Sequence, residues 1–193
     1  MRKLFSLAFL VLAFFLGYLL YRSIEEPITF ADERVVRQDA VADQLMVIRS
    51  AQEMYRDITG MFAPNFDTLK QVLRNEDFME VRIVGDPDDP DFDPTTAYDT
   101  IYKPAIDSIN RLGIDLDRLE YVPYTEDKTF DIAADTIDYQ STKVPVVQVG
   151  IPYKEFMGRF ADSRYQRYDQ RYNPDAPIKF GDLSKPSLAG NWE

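Results

Sequence analysis

The chain contains no cysteine and no histidine. Without cysteine there is no disulfide, thiolate nucleophile, zinc finger or iron–sulfur cluster. Without histidine the chain lacks the side chain best suited to proton transfer near neutral pH, and the commonest metal ligand. Glycine is scarce, at 8 of 193 residues, and no two glycines stand at the spacing of a phosphate-cradling loop. Positive charge is also in deficit, with 22 basic residues against 33 acidic ones and a net charge of −11. Such a chain repels phosphate backbones, so nucleic acid is not an expected partner. A serine nucleophile here would need a lysine base, and no carboxylate pair stands out for hydrolysis. The expectation is a protein that is not an enzyme, with no catalytic residues, no metal and no cofactor.

What is present begins at the N-terminus. Arg2 and Lys3 form a basic tip, and Leu4 to Tyr21 follows without a charged residue. As a helix that stretch spans roughly 27 Å, close to the ~30 Å hydrocarbon core of a bilayer. Tyr18 and Tyr21 stand near its far end, where amphipathic rings favour the interface. The positive-inside bias places residues 1–3 in the cytoplasm, 4–21 in the inner membrane and the rest in the periplasm. The competing reading is a cleaved signal peptide, which wants a small-residue site after the apolar run. Here the run ends Gly17-Tyr18-Leu19-Leu20-Tyr21-Arg22, which is bulky, so an uncleaved single-pass anchor is expected.

Beyond the span, Pro27 is expected to interrupt the chain within a juxtamembrane linker, residues 22–31. Thr29 to Asp32 has the spacing of a capping box at the start of a new helix. Val41, Leu45, Ile48, Gln52 and Tyr55 then recur at helical spacing as one apolar stripe with a polar interruption at Gln52. That stripe either covers a sheet or zips against a partner helix. Gly60 is a natural stop, and Asn65 or Asp67 can cap a short helix carrying Leu69, Val72 and Leu73. Val81 to Val84 is a short strand candidate. Leu119–Tyr124 and Thr129–Ala133 suggest a hairpin, and Lys143–Ile151 another strand, placed at an edge or starting late because of Pro145. Phe156 to Tyr172 reads as a helix and residues 173–193 as an irregular tail. The whole is an α+β fold: a long helix packed on a small antiparallel sheet, in a domain over residues 32–172.

Two segments carry possible binding chemistry. Residues 86–138 hold 15 acidic and 4 basic groups, a net of −11 that equals the net charge of the whole chain. Within them Asp86, Asp88, Asp89, Asp91 and Asp93 alternate with prolines. Clustered carboxylates can hold Ca²⁺, but Pro94 and Thr100 stand where an EF-hand loop needs glycine and glutamate, so a solvated acidic loop competes with a calcium- or ligand-binding module. The second segment pairs Arg164, Arg167 and Arg171 with Tyr165, Tyr168 and Tyr172. Arginine and tyrosine are enriched at interface hot spots, so these six residues are candidates for partner binding. The alternative is that the tyrosines pack on the sheet while the arginines meet the acidic middle of the chain.

One stretch goes beyond pattern. Ile48-Arg49-Ser50-Ala51, Tyr55, Gly60, Phe62, Pro64 and Leu69 resemble the second half of the first helix, and the turn after it, in bacterial type IV pilins and type II secretion pseudopilins. The order of apolar N-terminal segment, amphipathic helix and antiparallel strands is similar too. The span departs from theirs, with neither the glycine of the peptidase site nor a glutamate inside the apolar run. Ser23 to Ile28 and the terminal Ala189-Gly190-Asn191-Trp192-Glu193 resemble single-span envelope proteins of the Bacteroidetes group. These resemblances imply a non-enzymatic component of an envelope assembly, of secretion or appendage type, whose partners are the lipid bilayer and other envelope proteins.

Overall fold

The computed structural model describes residues 2–83 and 98–193. The acidic loop 86–93, with its calcium alternative, lies outside them. The fold is α+β, with one long N-terminal helix and two small antiparallel sheets.

Helix α1 runs unbroken over Arg2–Thr59. Its most apolar 18-residue window has a mean hydropathy of 2.0 and is not buried by the rest of the chain, so the helix is long and apolar enough to cross a membrane. The expected linker over 22–31 is absent, and Pro27 sits inside the helix. A proline there removes one backbone donor and crowds the preceding turn, at a cost of roughly 3 kcal/mol. Helical chain on both sides, and the burial of Phe30 one turn later, offset it. Thr29, read as a cap, instead donates its hydroxyl to the Glu25 carbonyl at 2.8 Å, one turn back.

The stripe on the second half of α1 is core. Val41, Leu45, Ile48 and Gln52 are fully buried and Tyr55 nearly so. Gln52 fits because its amide meets one backbone unit at both ends. Its Nε2 donates to the Ala63 carbonyl at 3.2 Å, and its Oε1 accepts from the Ala63 N–H at 2.9 Å. A buried peptide that would otherwise be unsatisfied is thereby paired. Gly60 takes a left-handed φ of 79° and ends the helix, as its position suggests. Helix α2, Phe66–Asn75, is capped by Asn65, whose Oδ1 accepts from the Thr68 N–H at 2.8 Å.

Strand β1 (Asp77–Ile83) pairs with β2 (Tyr98–Pro104) as a two-stranded ladder. Helix α3, Ala105–Leu112, follows directly. The expected hairpin over 119–133 shrinks to one bridge, Tyr121 with Thr129, pinned by buried Leu119, Val122 and Phe130. The chain then enters β3 (Asp131–Tyr139), β4 (Thr142–Pro152) and, after a compact excursion, β5 (Pro177–Gly181), in the order β3-β4-β5. Two expectations are corrected here. Strand β4 is central, and Pro145 is tolerated because β5 pairs only with Gln148 to Pro152. The tail from 173 is not irregular, since β5 supplies the buried Ile178 and Phe180.

The β3–β4 turn is tight. Gln140 and Ser141 occupy its two central positions at φ 49° and 65°. Both lie in the left-handed region required by a type I′ turn, where asparagine and glycine are preferred. Ser141→Gly is therefore expected to raise stability by about 0.5–1 kcal/mol, read as a higher urea midpoint at unchanged slope.

Candidate functional site

The Arg/Tyr segment does not form the expected helix over 156–172. Pro152 closes β4 and opens the single turn α4, Tyr153–Phe156. Short 3₁₀ turns follow over Gly158–Phe160 and Ser163–Arg167, the latter capped by Asp162. This winding path folds the tyrosines inward onto α1 just beyond the apolar run. They meet Phe30 of α1, and of the three arginines Arg167 pairs with the α1 acid Glu26.

Phe30 is the centre. Tyr165 stacks on it at 5.3 Å with the planes 10° apart. Phe160 and Tyr172 approach edge-on at 5.5 and 5.1 Å, and Tyr168 tilts in at 6.2 Å. Such pairs add roughly 0.5–1.5 kcal/mol each beyond the area they bury. Tyr172 is 1% exposed, and its hydroxyl donates to the Phe160 carbonyl at 2.6 Å.

Charge fastens the rim. Arg34 forms an ion pair with Asp169, and its guanidinium lies over the Tyr172 ring at 5.9 Å. Glu33 accepts from Arg37 one turn on and from Arg159 at 3.0 Å. Arg37 also donates to the Phe156 carbonyl at 2.7 Å. Glu26 accepts from Arg167 at 3.3 Å and from the Tyr168 hydroxyl at 3.1 Å. Arg164 and Arg167 each lie over the ring that follows them, at 4.7 and 4.5 Å. Of the six candidates, Tyr165 and Tyr172 are thus buried by the fold, Tyr168 is half-buried, and the Arg164, Arg167 and Arg171 side chains face solvent.

Burial lifts the Tyr172 hydroxyl to a pKa of about 12, although Arg34 pulls it down. Burial also raises that of Tyr153. A phenol whose folded pKa exceeds its unfolded one keeps its proton longer in the native state. The folded state is then unpenalised below pH 10 and loses stability as pH rises from 10 to about 12. Alkaline unfolding in that window is the expected result, read by circular dichroism, and Tyr172→Phe is expected to flatten the dependence.

A second feature was not read from the sequence. Leu10, Phe14, Gly17, Tyr21, Ile24, Ile28, Ala31 and Val35 stand at alternating spacings of four and three along α1, and all eight are exposed. Ile24, Ile28 and Val35 are 55–57% exposed. Ile28 lies about 160° around the helix from Phe30, so this seam is on the face away from the domain. Val35 is about 21 Å beyond Tyr21 along the axis, well past the end of the apolar run. The signal was the heptad continuing through Pro27, which an expected linker conceals. A smaller apolar face, Met79, Val81 and Tyr102, is exposed on the β1–β2 ladder.

Among the described residues no cluster of three or more acidic side chains is placed to hold a metal ion. The chain matches no protein-family model, no curated protein and no solved structure.

Proposed function

We propose that this chain is a membrane-anchored, non-enzymatic component of a bacterial envelope assembly of the secretion or appendage kind. In this reading residues 4–21 cross the inner membrane, the N-terminus is cytoplasmic, and the α+β domain stands in the periplasm. The domain holds α1 by one face and leaves the opposite face to helices of partner proteins. The pilin-like order of elements supports the same reading.

The observation that carries it is the exposed seam. Apolar side chains repeating every 3.5 residues are the pattern of helix-to-helix packing by knobs into holes. In the membrane half lipid can cover that face. In the aqueous half, Ile28 and Val35 have no such cover, and each fully buried aliphatic side chain contributes about 1.5–3 kcal/mol.

The absence of cysteine makes the test clean. Single cysteines at Ile28, Val35 and, on another face, Ser23 are reacted in intact membranes with a short maleimide–succinimide crosslinker. Ile28→Cys and Val35→Cys are expected to give adducts with envelope proteins, and Ser23→Cys at least fivefold less. Equal yields at all three positions, or no adduct at any, would refute the proposal.

A further inference from the structure

Where the aromatic cluster meets α1, a cleft of about 360 Å³ opens. Arg22, Glu25 and Thr29 line it from α1, and Arg159 and Arg164 from the C-terminal turns. Glu26 lies there too, but its carboxylate is engaged by Arg167 and Tyr168. Arg159 is held by Glu33. Among the described residues, Arg22 and Arg164 have no carboxylate partner and the Glu25 carboxylate has no cation. The cleft therefore offers the guanidinium of Arg22, the remaining N–H groups of Arg164, which lies over the Tyr165 ring and donates to its hydroxyl, and the Glu25 carboxylate.

Its height along α1 sets what it meets. Arg22 to Thr29 lie about 1.5–12 Å beyond Tyr21 along the axis. The headgroup layer of one leaflet occupies roughly the first 5–7 Å beyond the hydrocarbon. The floor of the cleft is thus within the headgroups and its roof just above them. A ligand there needs an anionic part for the arginines and a cationic, hydrogen-bonding part for Glu25.

We propose that this cleft binds the headgroup of a phosphoethanolamine lipid. The phosphate oxygens accept from Arg22 and Arg164, the pairing that planar guanidinium forks favour. The primary ammonium donates to Glu25. A choline headgroup carries the same charges but has no N–H to donate, and a glycerol headgroup has no cation. This inference rests on the reading of residues 4–21 as a membrane span.

The test uses the full chain in nanodiscs of phosphatidylcholine, alone or with one quarter phosphatidylethanolamine or phosphatidylglycerol. A further arm adds inorganic phosphate to phosphatidylcholine discs. Incorporation is scored first. A chain that stays out of the discs overturns both the span and the cleft. With incorporation, phosphatidylethanolamine is expected to raise the unfolding temperature by about 2–4 °C over the other arms. Glu25→Gln and Arg22→Gln are each expected to abolish that increment while leaving the value in phosphatidylcholine alone within a degree or so. An equal rise with phosphatidylglycerol or with inorganic phosphate, no rise at all, or a rise that survives both substitutions overturns the cleft while leaving the span intact.

Discussion

Phe30→Ala is expected to destabilise the folded domain by about 3–5 kcal/mol, the cost of emptying a packed aromatic site. Phe30 is 2% exposed and contacts four aromatic rings drawn from residues 160–172. Among the described residues Phe30 is the α1 ring in that cluster, so its loss removes the aromatic packing between α1 and the C-terminal turns. The single tryptophan, Trp192, packs partly buried against the core and reports unfolding. Urea titration of the full chain in detergent, followed by its fluorescence, gives the energy. Tryptic cleavage after Arg164 and Arg167 is expected to accelerate in the variant, because those residues lose the tyrosines that seat them. A change below about 1 kcal/mol with unchanged cleavage would mean that the cluster is not what holds the helix.

Gly181→Ala is the second large effect. Gly181 ends β5 at φ 77°, and a Cβ built there would stand 2.0 Å from the Val147 carbonyl oxygen in β4. Two costs combine. A non-glycine residue in that conformation costs roughly 1–3 kcal/mol. Relieving the overlap means moving backbone in the central strand, which costs a further ~1–3 kcal/mol. The expected loss is about 2–6 kcal/mol in the same titration. Its structural consequence is local to the three-stranded sheet: amide exchange on β5 rises first, while amides of α2 stay protected. Wild-type protection across β5 in the variant would contradict the close approach.

Much of the fold is legible because its causes are local. The Val41–Tyr55 stripe, the stop at Gly60 and the cap at Asn65 each depend on a few neighbouring residues, and each stands in the structure as read. What was not legible depends on distant chain. Pro27 suggests a break, and only the docking of residues 153–172 beyond it explains why α1 continues. Pro145 suggests an edge, and β4 is central because β5 joins it later in its length. Helix α3 carries a readable signal, Ile106 and Ile109 followed by Gly113.

The candidate site divides in the same way. The pairing of arginine with tyrosine over 164–172 is split by the fold, which buries Tyr165 and Tyr172 and leaves the Arg164, Arg167 and Arg171 side chains facing solvent. Tyr165 and Tyr172 fill the space around Phe30, a residue that sequence alone leaves inside a linker. Alternation of residue types cannot say whether an aromatic–cationic surface faces a partner or the chain's own helix. Pro152 ends β4 and Asp162 caps the second 3₁₀ turn, and the segment follows short helical turns instead of one continuous helix.

The central claim is that the apolar start of α1 is embedded in lipid and carries the domain outside the inner membrane. Protease added to intact spheroplasts, with the chain detected through a tag at its C-terminus, tests it most directly. The expected result is a chain that stays with membranes through alkaline carbonate washing, dissolves in detergent, and loses its tag to external protease before lysis. A chain recovered in the soluble fraction with a new N-terminus after residue 21, or a tag protected until the inner membrane is broken, would contradict it.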